Sequence, residues 1–286
     1  IIHTPAQAMK TTAEPLRHLM EPSLMQYCVR RLSNGTKPGP DHIHNELLKA
    51  LPPAWHTTIH HLFELMWACG YTPTCFRHSY TIFLYKKGEH TNPANFRPLG
   101  LNNTLSKLWT SLVTRVLSSY SELNFILSDA QEGFRPNKNA HNHILNLIHD
   151  IQDAALHKQD LYAAYYDFSN AFNTIKHDKL WKVLKELGFP AHTIRVIQQL
   201  YTDSNTTVAL NGIKTAPIPI QVGTIQGDTL SPLLFILYIE PLLRWLEHGK
   251  LGYNFNSPQE EALINTANAF ADDVALTTGS IDTMAL

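Results

Sequence analysis

The chain has 286 residues, 44% of them apolar and 16% charged, with a formal net charge of -1. Such a length supports one large domain or two smaller ones, and the composition excludes an intrinsically disordered chain and a globally basic nucleic-acid binder. Three cysteines (Cys28, Cys69 and Cys75) make neither a disulfide framework nor a zinc set, which leaves reduced intracellular thiols as the default. In chain order, Glu21 to Leu32 reads as a helix with Pro22 in its first turn. Ser33 to Pro40 carries Asn34-Gly35 and Pro38-Gly39-Pro40, which is loop chemistry. Asp41 is placed to cap a helix running to Leu51, and a further helix runs from Pro53 to Ala68 and stops at Gly70. Ser79 to Tyr85 reads as a strand, followed by a loop from Lys86 to Pro98. Asn102 to Tyr120 shows the helical period, Ser128 to Lys138 is a polar loop, and Asn139 to Leu156 is a helix with Ile144, Leu147, Ile148 and Ile151 on one face. Leu161 to Phe168 is read as a buried strand.

Helices are expected at His177 to Leu187 and Ala191 to Tyr201. Thr206 to Leu210, Asn211-Gly212 and Ile213 to Val222 form a hairpin signal. Gly223 to Asp228 is a glycine-bearing turn, and Ser231-Pro232 opens a helix to about Glu247. A last pair of strands flanks Asp272-Asp273. Hairpins mixed with helices, without a repeated strand-helix unit, give an α+β chain. The longest apolar run, Leu233 to Ile239, is too short for a bilayer, and no signal peptide opens the sequence. The first residue is not Met and the last lies just past a strand-like run, so a piece of a longer protein is expected.

Four stretches carry chemistry. Asp167 ends an apolar strand and is followed by a polar turn; a charge leaving a buried strand is costly unless paired or bound to metal. Read without a ligand, Asp167 or Ser169 caps the next short helix. Phe270-Ala271-Asp272-Asp273 reads as ordinary turn chemistry or as a carboxylate pair aimed at a cation. If the two stretches are neighbours in space, Asp167 and Asp272 share divalent ions, and Mg2+ suits such oxygen sites. Gly223-Thr224-Ile225-Gln226-Gly227 lets backbone lie against a ligand, or is a plain turn capped by Ser231. Lys86 at a strand end and Arg97 after a loop form a clamp for a triphosphate, or a solvated basic loop. From Arg77 to Lys138 there are eight Lys/Arg against four Asp/Glu, whereas the tail from Glu240 is acidic.

Together these stretches resemble the reverse transcriptase of non-LTR (LINE-like) retrotransposons. The motifs occur in the family's order: Lys37-Pro38-Gly39-Pro40-Asp41, Asn95-Phe96-Arg97-Pro98-Leu99, Gln131-Glu132-Gly133-Phe134-Arg135, Asp167-Phe168-Ser169-Asn170-Ala171-Phe172, Gln226-Gly227-Asp228-Thr229-Leu230-Ser231-Pro232 and Phe270-Ala271-Asp272-Asp273. They cover about residues 35 to 280. The resemblance implies the fingers and palm of a right-hand polymerase, the palm an antiparallel sheet backed by helices. It divides the chain into an N-terminal extension (1–34), fingers (35–160) and an incomplete palm (161–286), with the thumb and endonuclease elsewhere in a longer chain. It implies two Mg2+ ions, with Mn2+ as a substitute, on Asp167 and Asp272, and Asp273 as the third catalytic carboxylate. Arg97 and Lys86 would hold the dNTP, and Phe172 would exclude a ribose 2′-hydroxyl. Gln226 and Gly227 would lie along the nascent pair, and Gln131, Gly133 and Arg135 would touch the template. The implied partners are an RNA template, a DNA primer and dNTPs, with no membrane, in nucleus and cytoplasm.

Two positions depart from the family pattern: Asn173 stands where Asp is common after the gate, and His42 where Gly is common after the Asp of the opening motif. A catalytically inactive remnant that only binds nucleic acid or protein is the competing reading, and a metal-dependent nuclease is a third. His56, His60 and His61 lack the His-Glu-x-x-His zinc pattern, and His141-Asn142-His143 shares only letters with an HNH nuclease. All five are expected to be helical surface residues.

Overall fold

A computed structural model describes residues 16, 20–168, 170–210, 212–225, 227–255 and 264–284. Ser169, Asn211, Gln226 and residues 1–15 and 17–19 of the expected N-terminal extension lie outside the described residues. From the N-terminus, α1 (Pro22–Arg31), α2 (Asn45–Ala50) and α3 (Pro53–Cys69) lead to β1 (His78–Tyr85), β2 (Phe96–Asn102) and α4 (Thr104–Leu123). Then come α5 (His141–His157), β3 (Tyr162–Asp167), α6 (His177–Glu186), α7 (Ala191–Tyr201), β4 (Asn205–Leu210), β5 (Ile213–Lys214) and β6 (Ile218–Pro219). The long α8 (Leu230–His248) is followed by β7 (Tyr253–Asn254), β8 (Ile264–Asn265), β9 (Asn268–Phe270), β10 (Asp273–Thr278) and α9 (Ile281–Met284). The α+β class is observed, with antiparallel pairing between all of these strands except β1 and β4.

The chain forms two compact units. One comprises Ser121–Ala171 and Pro232–Leu286, the other residues 6–120 and 172–231. Each is assembled from separated stretches, and the sequence division at 160/161 falls inside the first. In the first unit β10 is central, paired with β3 on one side and β9 on the other. Its apolar face packs Val274, Leu276, Ala267 and Ala269 against Leu243, Leu246 and Leu251. The second unit holds the sheet β2-β1-β4-β5 and a helical core in which Phe63 and Trp67 of α3 meet Trp109 of α4 at ring separations of 5.3 and 6.4 Å.

Four expectations need correction. The loop after β1 contains a second strand, β2, in which Arg97 lies opposite Leu84. Pro98 argues against a central strand, but β2 is the sheet edge, where a missing N–H is tolerated. Asp41 does not cap the helix that follows it. Its Oδ2 accepts from Thr104 N (2.8 Å), so it supports the start of α4. The Tyr-rich β3 is not buried: Tyr165 and Tyr166 are 70% and 50% exposed, because the strand is an edge of its sheet. Finally, α5 buries His143, Asp150 and Ala154 and leaves Ile144, Ile148 and Ile151 exposed. The polar side turns inward because Asp150 Oδ2 accepts from Thr277 Oγ1 of β10 and Asn265 Nδ2, both at 2.7 Å. Burial raises the Asp150 carboxyl above its ordinary range, and those two hydrogen bonds oppose the shift.

Candidate active site

The first unit brings the three predicted aspartates together at one end of its sheet. Asp167 is the last residue of β3 and Asp273 the first of β10, and the two are direct cross-strand partners. Side chains of directly paired residues leave the same face of a sheet. Asp272 sits in the two-residue turn, Ala271-Asp272, that joins β9 to β10. Asp167 and Asp273 are exposed, and Asp272 is half-buried. On the same face lies a groove of about 360 Å³ lined by Asp167, Asp273, Tyr165 and Phe270, with His143 and Leu147 from α5. Asp167 opens onto this groove and bears little burial penalty. Asp167 and Asp273 are instead like charges placed directly opposite one another, which is destabilising in the absence of a counter-charge.

The turn that carries Asp272 is strained and externally supported. Ala271 has φ 58°, the left-handed region, which costs a non-glycine residue roughly 1–2 kcal/mol. Only the first central residue of the turn has positive φ, the pattern of a type II′ hairpin turn, where glycine is usual. Gln131 holds it. Its Oε1 accepts from Ala271 N (2.9 Å) and Gly133 N (2.8 Å), and its Nε2 lies 3.4 Å from Ala271 O as donor. The neighbouring backbone continues the contact, with Glu132 N donating to Ala269 O (3.0 Å) and Ala269 N to Ala130 O (2.7 Å). A Cβ at Gly133 would lie 2.3 Å from Ala271 N, so only glycine lets the two segments approach this closely.

This geometry bears on the template role expected of the Gln131-Glu132-Gly133-Phe134-Arg135 segment. Gln131 is fully buried and Gly133 is buried. Arg135 forms a two-pronged pair with Glu122 (2.9 and 2.8 Å) and donates to the carbonyls of Ser128 and Gln131. Its side chain is 6% exposed. These groups are used up inside the unit and leave little for a nucleic acid.

The other predicted residues belong to the second unit. Lys86 and Arg97 are exposed beside the β1–β2 hairpin end, where Lys86 N donates to Asn95 O (2.8 Å). Gly227 has φ 75°, and a Cβ there would lie 2.3 Å from Gly100 O of β2. The turn before α8 is thereby pressed against the strand that bears Arg97. Phe172 is half-buried; its carbonyl accepts from Thr224 N (2.8 Å), and Gly223 N donates to Ile175 O (2.8 Å). His177 Nε2 bonds Gly223 O (2.7 Å). The gate candidate and the glycine-bearing turn are thus stitched together, a link no local pattern announces. Gln226 lies outside the described residues.

Residues 84–285 match the family model described as reverse transcriptase (RNA-dependent DNA polymerase). The chain belongs to the reverse transcriptase family. Curated relatives in Drosophila melanogaster include the Pol polyprotein of the type-2 retrotransposable element R2DM, 30% identical over 86% of this chain and 22% of that protein. The probable RNA-directed DNA polymerase from transposon BS is 28% identical over 87% of the chain and 26% of its own length. The polymerase of mobile element jockey is 24% identical over 85% and 26%. The chain thus spans about a quarter of these relatives, which are non-LTR elements. An apo telomerase structure from Candida tropicalis shares the fold, with a TM-score of 0.50 at 15% identity over 85% of this chain and 51% of that one.

Against the reverse transcriptase pattern, His42 has φ 55°, so the substituted position is one where glycine would be unstrained. Asn173 is exposed beside Gly223. The histidines are not all surface residues. His60 is buried with Nε2 bonded to Met20 O (2.9 Å), and His143 is buried beside Glu132. Burial lowers the His143 pKa, against the opposing pull of Glu132. Among the described residues, the set of three potential ligand atoms lying within 4.8 Å of one another is His60, His61 and Glu64. The three aspartates are neighbours on the sheet but do not close to that spacing. No described helix is long and apolar enough to cross a membrane.

Proposed function

We propose that this chain carries the nucleotidyl-transfer centre of an RNA-directed DNA polymerase, adding dNTPs to a primer 3′-hydroxyl on an RNA template. The observation that supports it most is the direct pairing of Asp167 with Asp273, with Asp272 in the adjoining turn, in a chain of the reverse transcriptase family. All-oxygen donors gathered at one sheet end fit Mg2+, which takes one or two carboxylates and completes its shell with water and phosphate oxygens. Mn2+ accepts the same donors. In this reading Asp167 and Asp272 hold two ions and Asp273 is the third carboxylate, near the primer end. Two divalent ions so held supply an activated attacking oxygen and charge stabilisation of the leaving oxygen.

The remaining roles fall to the chain's own groups. Arg97 and Lys86 grip the triphosphate by charge-assisted hydrogen bonds. Phe172 fills the space of a ribose 2′-hydroxyl and so favours deoxynucleotides. Gln226 and Gly227 lie along the nascent base pair. The primer oxygen forms a bond to the α-phosphorus as the bond to the β-phosphate oxygen breaks, and pyrophosphate leaves. Fingers (35–160) and palm (161–286) are the corresponding functional parts, with thumb and endonuclease supplied by the longer protein. The test is RNA-templated extension of a DNA primer with Mg2+ by the polymerase that contains this chain. Asp272→Asn abolishes extension in this reading; extension that persists overturns the metal assignment, and primer degradation instead of extension identifies a nuclease.

A further inference from the structure

We infer that Gln131 is a positioning residue for the Asp272 turn, holding a left-handed Ala271 so that Asp272 stands at a fixed place beside Asp167 and Asp273. The inference rests on the proposed polymerase function for its catalytic readout, but its geometry stands on contacts within one unit. A type II′ turn normally takes glycine at its first central position, and this chain has Ala271 there, with φ 58°. A strained turn persists only where its surroundings over-determine it. Here one fully buried side chain binds both backbone polar groups of Ala271: Oε1 accepts from its N–H at 2.9 Å and Nε2 faces its carbonyl at 3.4 Å. The same Oε1 accepts from Gly133 N at 2.8 Å, which fixes the amide's orientation. Arg135 anchors the far side by donating to the Gln131 carbonyl at 2.9 Å while paired to Glu122.

An amide is the side chain this site requires. It presents one acceptor and one donor from a single plane, so it satisfies an N–H and a C=O on the same residue. Methionine has similar length but no matching polar groups, and would leave two buried N–H groups unpaired. The close approach at Gly133 makes the contact testable from its other side. A methyl group there meets Ala271 N at 2.3 Å and Gln131 Oε1 at 2.9 Å, so it pushes apart the turn and the amide that holds it without removing the amide's polar groups.

The experiment compares wild type, Gln131→Met and Gly133→Ala in the polymerase that contains this chain, using a DNA primer on an RNA template with dNTPs and Mg2+. Both variants are expected to lower kcat by at least about tenfold and to raise the half-saturating Mg2+ concentration severalfold, because small misplacements of reacting groups are costly. KM for dNTP and the Kd for primer-template are expected to stay within about twofold. Hydrogen exchange supplies a readout independent of activity: the Ala271 amide exchanges roughly tenfold or more faster in Gln131→Met, while the Val274 amide in the β10 ladder does not. If thermal melting shows Gln131→Met to be unfolded, Gly133→Ala carries the same measurements. A folded variant with unchanged kcat and unchanged Ala271 exchange overturns the inference. Weakened primer-template binding at unchanged kcat also overturns it, and restores Gln131 to a template contact. A wild type that does not extend the primer defeats the functional reading alone, and the exchange data then decide the turn's support.

Discussion

Asp167→Asn tests the carboxylate pair through stability as well as activity. Direct cross-strand partners place their Cβ atoms roughly 5 Å apart. Two unit charges at that separation repel by about 0.8 kcal/mol in water and about 3 kcal/mol at an effective dielectric of 20. Asp167 and Asp273 are both exposed at the groove, so the figure lies near the lower end. The variant should be more stable than wild type by about 0.5–1 kcal/mol in EDTA at low salt. Mg2+ should reverse the order. With a dissociation constant on the order of 1 mM, a single ion at about 10 mM stabilises the folded protein by about 1.4 kcal/mol. The substitution removes a ligand and most of that gain. Urea unfolding followed by circular dichroism, with and without Mg2+, reads both effects, and primer extension reads the loss of activity. A variant less stable than wild type in EDTA, or one with the same Mg2+ response, refutes the claim that these two carboxylates form one cation site.

Phe172→Ala should raise ribonucleotide incorporation by on the order of 10–100-fold relative to dNTPs in competitive extension, and an unchanged sugar preference removes the gate. Asp228 is buried, and burial pushes its carboxyl up to about 6, with the Thr110 hydroxyl and the Thr229 and Leu230 amides pulling the other way. Its folded pKa lies above the unfolded one, so the stability it confers is full below about pH 4 and is lost as pH rises through 6, by about 3 kcal/mol in all. Asp228→Asn should remove that slope from the pH dependence of urea unfolding, and a slope identical to wild type counts against an ionised buried Asp228 near neutral pH. Replacing the left-handed His42 by glycine should raise the unfolding midpoint modestly, the gain held to about 1 kcal/mol by glycine's greater unfolded-state entropy. A loss of stability would mean that the His42 side chain contributes contacts that outweigh its backbone strain.

Much of the fold was legible where local signals coincide. In α3 the apolar period, Pro53 at the start and Gly70 at the end agree, and the observed helix runs Pro53–Cys69. The turn at Gly70 and the hairpin around Gly212 follow the same logic. Where a segment's role is set by its neighbours, the local pattern misleads. Pro98 reads as a loop residue until β2 proves to be an edge strand. The apolar stripe of α5 points outward because Asp150 finds two partners on segments more than a hundred residues away. Asp167, Asp272 and Asp273 were recognisable because their motifs stand in a fixed order. The support of Asp272 by Gln131 was not, because it is a contact between residues 140 positions apart.

The unfavourable local features of the first unit gather at one end of its sheet. Asp167 and Asp273 face each other as like charges, and Ala271 holds a conformation that suits glycine. Folding alone gives no reason to keep either: a neutral residue at 167 and a glycine at 271 would each relieve a local cost. Strain and repulsion of this kind persist where the arrangement serves something other than stability. The surrounding structure compensates for the strain in kind, with Gln131 meeting both polar groups of Ala271 and Gly133 allowing the close approach. The repulsion has no such answer among the described residues, with none of which Asp167, Asp272 or Asp273 forms an ion pair. For carboxylates gathered at one sheet end, a hard divalent cation is a counter-charge whose chemistry fits, as the proposed function requires.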